Sequence, residues 1–148
     1  MGYILGIIGI FTGDYFLKNW IDKNKEEKKP ELICNGKLKI QKYYNYGAFL
    51  NIGEKTSRIV AVISLVLSLI LTILFIITLG KSGKSALKVG LTFLLGGAFS
   101  NTYDRLVRGR VIDYVSFPCR WKKFSQIVFN ISDFCIIIGA MITAISAN

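Results

Sequence analysis

The chain has 148 residues, 52% of them hydrophobic, and carries 19 Lys and Arg against nine Asp and Glu for a formal charge of +10, with no histidine. Runs of about 20 apolar residues, the length needed to cross a bilayer, predict an integral membrane protein of one domain, 1–148, and turn the positive charge toward anionic lipid and topology rather than nucleic acid. Without histidine there is no Ser-His or Cys-His catalysis, no HExxH site and little zinc chemistry, so carboxylates must carry any hydrolysis, with no metal or other cofactor expected.

Residues 2–21 are apolar except near their end and lack a basic n-region or small-residue cleavage site, so they are read as a span rather than a removable signal peptide. Gly2, Gly6, Gly9 and Gly13 share one helical stripe, which predicts a close helix-packing face. Asp14 and Lys18, four residues apart, predict an intrahelical ion pair. The stretch 22–58 is polar and Lys-rich. Its patch 38–49, with Ile40, Tyr43, Tyr44, Tyr46 and Phe49, predicts a small β-structure at the membrane surface.

Residues 59–79 contain no charge and form the clearest span, in which Ser64, Ser68 and Thr72 are expected to bond carbonyls of their own helix. Gly80-Lys81-Ser82-Gly83-Lys84-Ser85 is a tight turn. Its Gly83-Lys84-Ser85 has the look of a phosphate loop, but the first glycine is misplaced and no strand precedes it. Residues 86–103 form the third span and 126–147 the fourth, separated by the basic, aromatic connection 104–125. Cys34, Cys119 and Cys135 lack the spacing of a zinc site or a disulfide framework. The expected fold class is an all-α membrane protein: four transmembrane helices with a small β-structured extramembrane loop region after helix one.

With four crossings, the first and third connections lie on one side of the membrane. The ends of spans one and three, the third connection and the start of span four then share a face, gathering Asp14, Asp104, Asp113 and Asp133. Asp133 falls several residues inside an apolar helix, where an unpaired charge is costly and an acid is a functional candidate; Gln126 and Asn130 are read on its helical face. Asn101, Asp104, Arg105 and Arg108 form a polar stripe at helical spacing at the end of span three. Two carboxylates held close can share one proton. The ionised one deprotonates a water that attacks a peptide carbonyl, and the protonated one stabilises the oxyanion and protonates the leaving amine.

At these residues the sequence resembles the lipoprotein signal peptidases, or signal peptidase II, a family of four-span aspartic peptidases. Asp14-Tyr15-Phe16-Leu17-Lys18 is similar to the family's DxxxK element and Asn45-Tyr46-Gly47-Ala48-Phe49 to its NxGAxF element. Gly96-Gly97-Ala98-Phe99-Ser100-Asn101-Thr102-Tyr103-Asp104-Arg105 resembles GGAxxNxxDR, Gly109-Arg110-Val111-Ile112-Asp113-Tyr114 resembles GxVxDF, and Phe129-Asn130-Ile131-Ser132-Asp133 resembles FNxAD. The resemblance implies that Asp113 and Asp133 are the catalytic pair, that Asn45, Asn101, Arg105 and Asn130 position the substrate or the pair, and that Asp14, Lys18, Gly97 and Asp104 support the site. It also implies the activity: removal of signal peptides from prolipoproteins, cutting before a cysteine that bears a diacylglyceryl group. The enzyme would be multi-pass in the cytoplasmic (inner) membrane of a bacterium, among its lipids, with the active site near the outer face.

Three departures stand out. Ser132 occupies the alanine position of the last block, bringing a hydroxyl beside Asp133. Phe49 comes one residue early in the first-loop element. The first and third connections hold 15 Lys and Arg against Lys81, Lys84 and Lys88 around the second, a distribution that the positive-inside rule reads as a cytoplasmic site. The alternatives are a non-enzymatic small membrane transporter or immunity protein with Asp14, Asp104 and Asp133 along an ion path, and a homologue with altered substrate.

Overall fold

The computed structural model describes residues 1–27, 29–47 and 57–146, without the side chains of Lys122 and Lys123. Phe49 and the end of the expected fourth span lie outside the described residues. In chain order the elements are helix α1 (Gly2–Asn24), strands β1 (Glu31–Ile33) and β2 (Leu38–Asn45), helices α2 (Ser57–Leu79) and α3 (Ser85–Tyr103), a π-helical turn (Asp104–Arg108), strand β3 (Val111–Ser116), the short helix α4 (Lys122–Ser125) and helix α5 (Ile131–Ser146).

Among the described residues, α2 is the one helix that is both long and apolar enough to cross a bilayer. Away from the buried face of Ala61, Ser68 and Phe75, apolar side chains project outward, including Ile59, Val62, Ile63, Val66, Ile70 and Ile73, the reverse of a water-soluble helix with a polar outer face. Helices α1 and α3 instead turn polar groups inward: Asp14 and Lys18 on α1, and Thr92, Ser100 and Asn101 on α3, are buried. Helix α5, at 16 residues, spans about 24 Å at about 1.5 Å per residue.

The sequence reading of the fourth helix needs correction. Helix α5 begins at Ile131, so Gln126 and Asn130 lie before it and do not share a helical face with Asp133. Asn130 caps it: its Oδ1 accepts the Asp133 backbone N–H at 2.9 Å, and Asp133 Oδ2 accepts the Asn130 backbone N–H at 2.9 Å. This reciprocal box satisfies two N–H groups that a helix N-terminus leaves orphaned. Asp133 therefore stands in the first turn, not several residues inside the helix.

The β-structure expected after helix one is present and larger than its sequence patch. Strand β2 pairs antiparallel with β1 on one side and with β3, from the third connection, on the other, in the order β1-β2-β3. The register sets Tyr43 opposite Asp113 and Asn45 opposite Val111. Ile112 and Tyr114 of β3 bury against Ile21 of α1, with Leu17, Ile40, Tyr44 and Val115 around them, and this cluster fastens the sheet to the end of α1.

The glycine stripe of α1 packs less than expected. A Cβ on Gly6 would lie 2.8 Å from Thr92 Cγ2, but one on Gly2, Gly9 or Gly13 would meet nothing within 4 Å among the described residues. Close approach occurs instead between α3 and α5, where a Cβ on Gly139 would come within 2.5 Å of the Leu94 nitrogen and one on Gly90 within 2.6 Å of Thr143 Oγ1. Thr72 bonds the Ser68 carbonyl of its own helix at 2.7 Å, as expected, whereas the Ser68 hydroxyl crosses to Thr102 of α3 at 2.9 Å.

Candidate active site

Six elements, α1, β2, α3, the π-helical turn, β3 and α5, carry the singled-out residues, with Asn130 just ahead of α5. Asp113 sits on β3 and Asp133 on the first turn of α5, and each carboxylate is held by asparagine amides. Asn130 Nδ2 donates to Asp113 Oδ1 at 2.7 Å and Asn45 Nδ2 to Asp113 Oδ2 at 3.1 Å. Asn101 Nδ2 donates to Asp133 Oδ1 at 2.9 Å. Each amide carbonyl has its own donor, which fixes which end faces the carboxylate. Asn45 Oδ1 accepts from the Gly47 N–H at 3.0 Å, Asn101 Oδ1 from Lys18 Nζ at 2.9 Å, and Asn130 Oδ1 from the Asp133 N–H.

Beneath this pair lies a buried ionic network. Lys18 Nζ stands 2.7 Å from Asp14 Oδ2 and 2.8 Å from Asp104 Oδ2, with the three side chains at most 1% exposed. Lys18 also donates to Ser100 Oγ at 3.1 Å. The Asp14–Lys18 pair is thus more than the ordinary helical pair its spacing suggested, because it reaches α3 and, through Asn101, Asp133. Arg108 joins it to the surface: its Nε is 3.2 Å from Asp104 Oδ1, its Nη2 donates to Asn19 Oδ1 at 2.8 Å, and its guanidinium lies over the Tyr15 ring.

Arg105 turns the other way. Its Nη1 and Nη2 make long bonds to the carbonyls of Asn101 and Gly47, at 3.4 and 3.3 Å, and its Nε is buried without a hydrogen-bond partner among the described residues. With Asn101, Ser64, Ser68, Leu71 and Ile136 it lines a cavity of about 300 Å³ between α2, α3 and α5. This cavity is polar at the Asn101 and Arg105 end and apolar beyond. Among the described residues no group of three or more His, Cys, Asp or Glu is arranged to hold a metal ion.

Burial first, and the charge of Asp133 second, push the Asp113 carboxyl up from its ordinary value to about 7, against the opposing donations of Asn45 and Asn130. A carboxyl with a higher pKa in the folded chain takes up protons on folding. Its stabilising contribution is complete below the ordinary carboxylate value of about 4, declines as pH rises from there to about 7, and is constant above. The Tm of Asp113→Asn minus that of the parent should therefore grow across this interval and then level off. Thermal unfolding of both proteins at a series of pH values checks it, and a pH-independent difference would contradict it.

Gly97 is the hinge of the arrangement on α3. A Cβ there would run into the Ser132 carbonyl oxygen and come within 2.9 Å of Ile136 Cγ1, so only glycine lets α3 meet the first turn of α5 this closely. Gly97→Ala should displace that turn and Asp133 with it. Because small misplacements of catalytic groups are expensive, a fall of about a hundredfold in any activity that needs Asp133 is expected, together with a lower Tm. Parental values of both would show that α5 is not held as described.

Sequence reading missed several members of the site. The hydroxyls of Ser100 and Tyr114 reach Asp14 at 2.6 and 2.9 Å, yet only tertiary folding puts them there. Ser132 was expected beside Asp133, but its hydroxyl donates to Asp14 Oδ2 at 2.5 Å.

Comparison with known proteins covers nearly the whole chain. A family model described as "Signal peptidase (SPase) II" matches residues 6–148. A lipoprotein signal peptidase from Wigglesworthia glossinidia brevipalpis is 33% identical over 137 residues, covering 92% of this chain and 87% of the relative. One from Listeria welshimeri is 27% identical over 142 residues, covering 96% and 90%. A solved structure described as a bacterial membrane enzyme, determined by the in meso method at 2.3 Å resolution, superposes with a TM-score of 0.83 at 22% identity, covering 99% of this chain and 87% of its own.

Proposed function

Since the chain belongs to the signal peptidase II family, a family of signal-peptide-cleaving proteases, we propose that it is an aspartic endopeptidase that removes signal peptides from diacylglyceryl-modified prolipoproteins, cutting before the lipidated cysteine. The observation that carries this reading is the pair Asp113 and Asp133, fixed by three asparagine amides at the junction of the sheet and the helix ends.

Asp113, 2% exposed and pushed up to about 7, is assigned the shared proton. Asp133, which faces the N-terminal end of α5 and accepts a backbone N–H, is assigned the negative charge. The ionised Asp133 takes a proton from a water as its oxygen attacks the scissile carbonyl. Asp113 donates its proton to the developing oxyanion; the proton taken up by Asp133 then passes to the leaving amine as the C–N bond breaks, and a hydroxyl of the intermediate returns a proton to Asp113 as the carbonyl re-forms. Activity is then expected to fall as pH rises through about 7, where Asp113 loses its proton.

Residues 1–148 are read as one membrane-embedded unit in which α1, α2, α3 and α5 cross the cytoplasmic membrane. The outward apolar faces support this, and the inward polar groups of α1 and α3 are internally paired. The cavity beside Asn101 and Arg105 suits a substrate with both a peptide and hydrocarbon: Arg105 Nε is available to a carbonyl, and Leu71 and Ile136 to apolar chain. The active face is assigned to the outer side, where a signal peptide's cleavage site emerges. Asp14 and Asp104 are both closed onto Lys18, which leaves the transport alternative without an open acidic path.

The reading is tested by incubating the purified, lipid-embedded protein with a prolipoprotein carrying diacylglyceryl-cysteine and with the same protein unmodified. Cleavage of the modified form alone is expected; equal cleavage of both would remove the lipid from the substrate definition.

A further inference from the structure

The residues next to the two aspartates, Tyr114 after Asp113 and Ser132 before Asp133, send their side chains to one place. Successive residues of a strand face opposite sides, so Tyr114 leaves the side of Asp113 and turns toward α1. There its Oη donates to Asp14 Oδ1 at 2.9 Å. Ser132 Oγ donates to the other oxygen, Oδ2, at 2.5 Å. Tyr114 Oη also accepts the Ile131 N–H at 3.0 Å, so the same hydroxyl caps α5. Asp14 is itself held by Lys18 at 2.7 Å and Ser100 at 2.6 Å.

We propose that Tyr114 and Ser132 are positioning residues that set the spacing of Asp113 and Asp133, by fastening strand β3 and the first turn of α5 to opposite oxygens of the Asp14 carboxylate. The inference rests on the reading of Asp113 and Asp133 as the catalytic pair. Neither hydroxyl can reach substrate, since Tyr114 is 2% exposed and Ser132 fully buried, so both act through the aspartates. The fold does not depend on them alone. Val115 and Phe129 exchange backbone hydrogen bonds between β3 and the segment before α5, and Tyr114 keeps its ring among Ile21 and Ile112.

Losing either hydroxyl frees one element from Asp14, and the spacing of the pair widens or fluctuates. The charges acting on Asp113 are Asp133 from α5, Lys18 from α1 and Arg105 from the turn after α3, beside the neutral amides of Asn45 and Asn130. Of these, Asp133 holds its pKa up, so a looser pair moves the alkaline limb of activity to lower pH.

The test is steady-state cleavage of diacylglyceryl-modified prolipoprotein by the full-length, lipid-embedded protein across pH. It compares the parent, Tyr114→Phe, Ser132→Ala, the double variant and Asp113→Asn, with the Tm of each. Each single variant is expected to lower kcat about tenfold with KM within about twofold and to shift the alkaline limb below that of the parent. The double variant should lose less than the product of the two, because both tethers set one distance. Parental kcat and pH limb in both single variants, or a lowered Tm with kcat and limb unmoved, overturns the proposal. Cleavage by Asp113→Asn would instead overturn the assignment of the catalytic pair.

Discussion

Asp113→Asn and Asp133→Asn are each expected to lower cleavage of lipidated prolipoprotein by about a thousandfold or more, near the upper range for a positioned acid or base, while the protein still folds. The amide matches the carboxylate in size but carries neither the acid proton nor the negative charge. At position 113 the amide oxygen can still accept one of the donations from Asn45 and Asn130, so the sheet and helix keep their places. At position 133 the Asn101 amide and the Asn130 N–H likewise find an oxygen to share. A gel-shift assay on the purified variants, with Tm measured in parallel, separates lost chemistry from lost fold. Substantial cleavage by either folded variant would contradict the two-carboxylate mechanism.

The largest loss of stability is expected from Lys18→Met. Methionine fills much of the same volume but leaves Asp14 without its cation and Asp104 with Arg108 alone, each carboxylate about 1% exposed. Removing one partner of a buried ionic group costs about 3–5 kcal/mol, and the lost donor to Asn101 Oδ1 also frees the amide that holds Asp133. Adding Asp14→Asn and Asp104→Asn to Lys18→Met removes the stranded charges, so the triple variant should recover much of the lost Tm while remaining poorly active. A single variant as stable as the parent would mean that the network contributes little.

The acids were legible in the sequence because an ionisable group next to a long apolar run is costly enough to need a reason, and because the four spans expected from the sequence would put Asp14, Asp104, Asp113 and Asp133 on one side. Their geometry was not. Strand β3 is six residues long and lies between Arg110 and Pro118, too short for a period to appear, and its partner β2 is some 70 positions earlier. The fourth helix was begun too early because Gln126–Asn130 leads into an apolar run without a proline or glycine. Only the reciprocal bonds of Asn130 and Asp133 reveal the true start.

Ser132 illustrates the same limit. Its place next to Asp133 in sequence brings a hydroxyl beside that residue, but adjacent residues of a helix turn about 100° apart, and its hydroxyl ends on Asp14, 118 positions away. The glycines of α1 share a helical stripe, yet whether another helix lies against it depends on where α3 sits, and of these four glycines α3 closely approaches Gly6 alone among the described residues.

The measurement closest to the central claim is mass spectrometry of the products formed when the lipid-embedded protein meets a diacylglyceryl-modified prolipoprotein, beside Asp113→Asn. A released signal peptide and a product beginning at the lipidated cysteine, formed by the parent and absent with the variant, is the predicted result. An intact substrate after incubation with the folded parent, or cleavage at another bond, would contradict it.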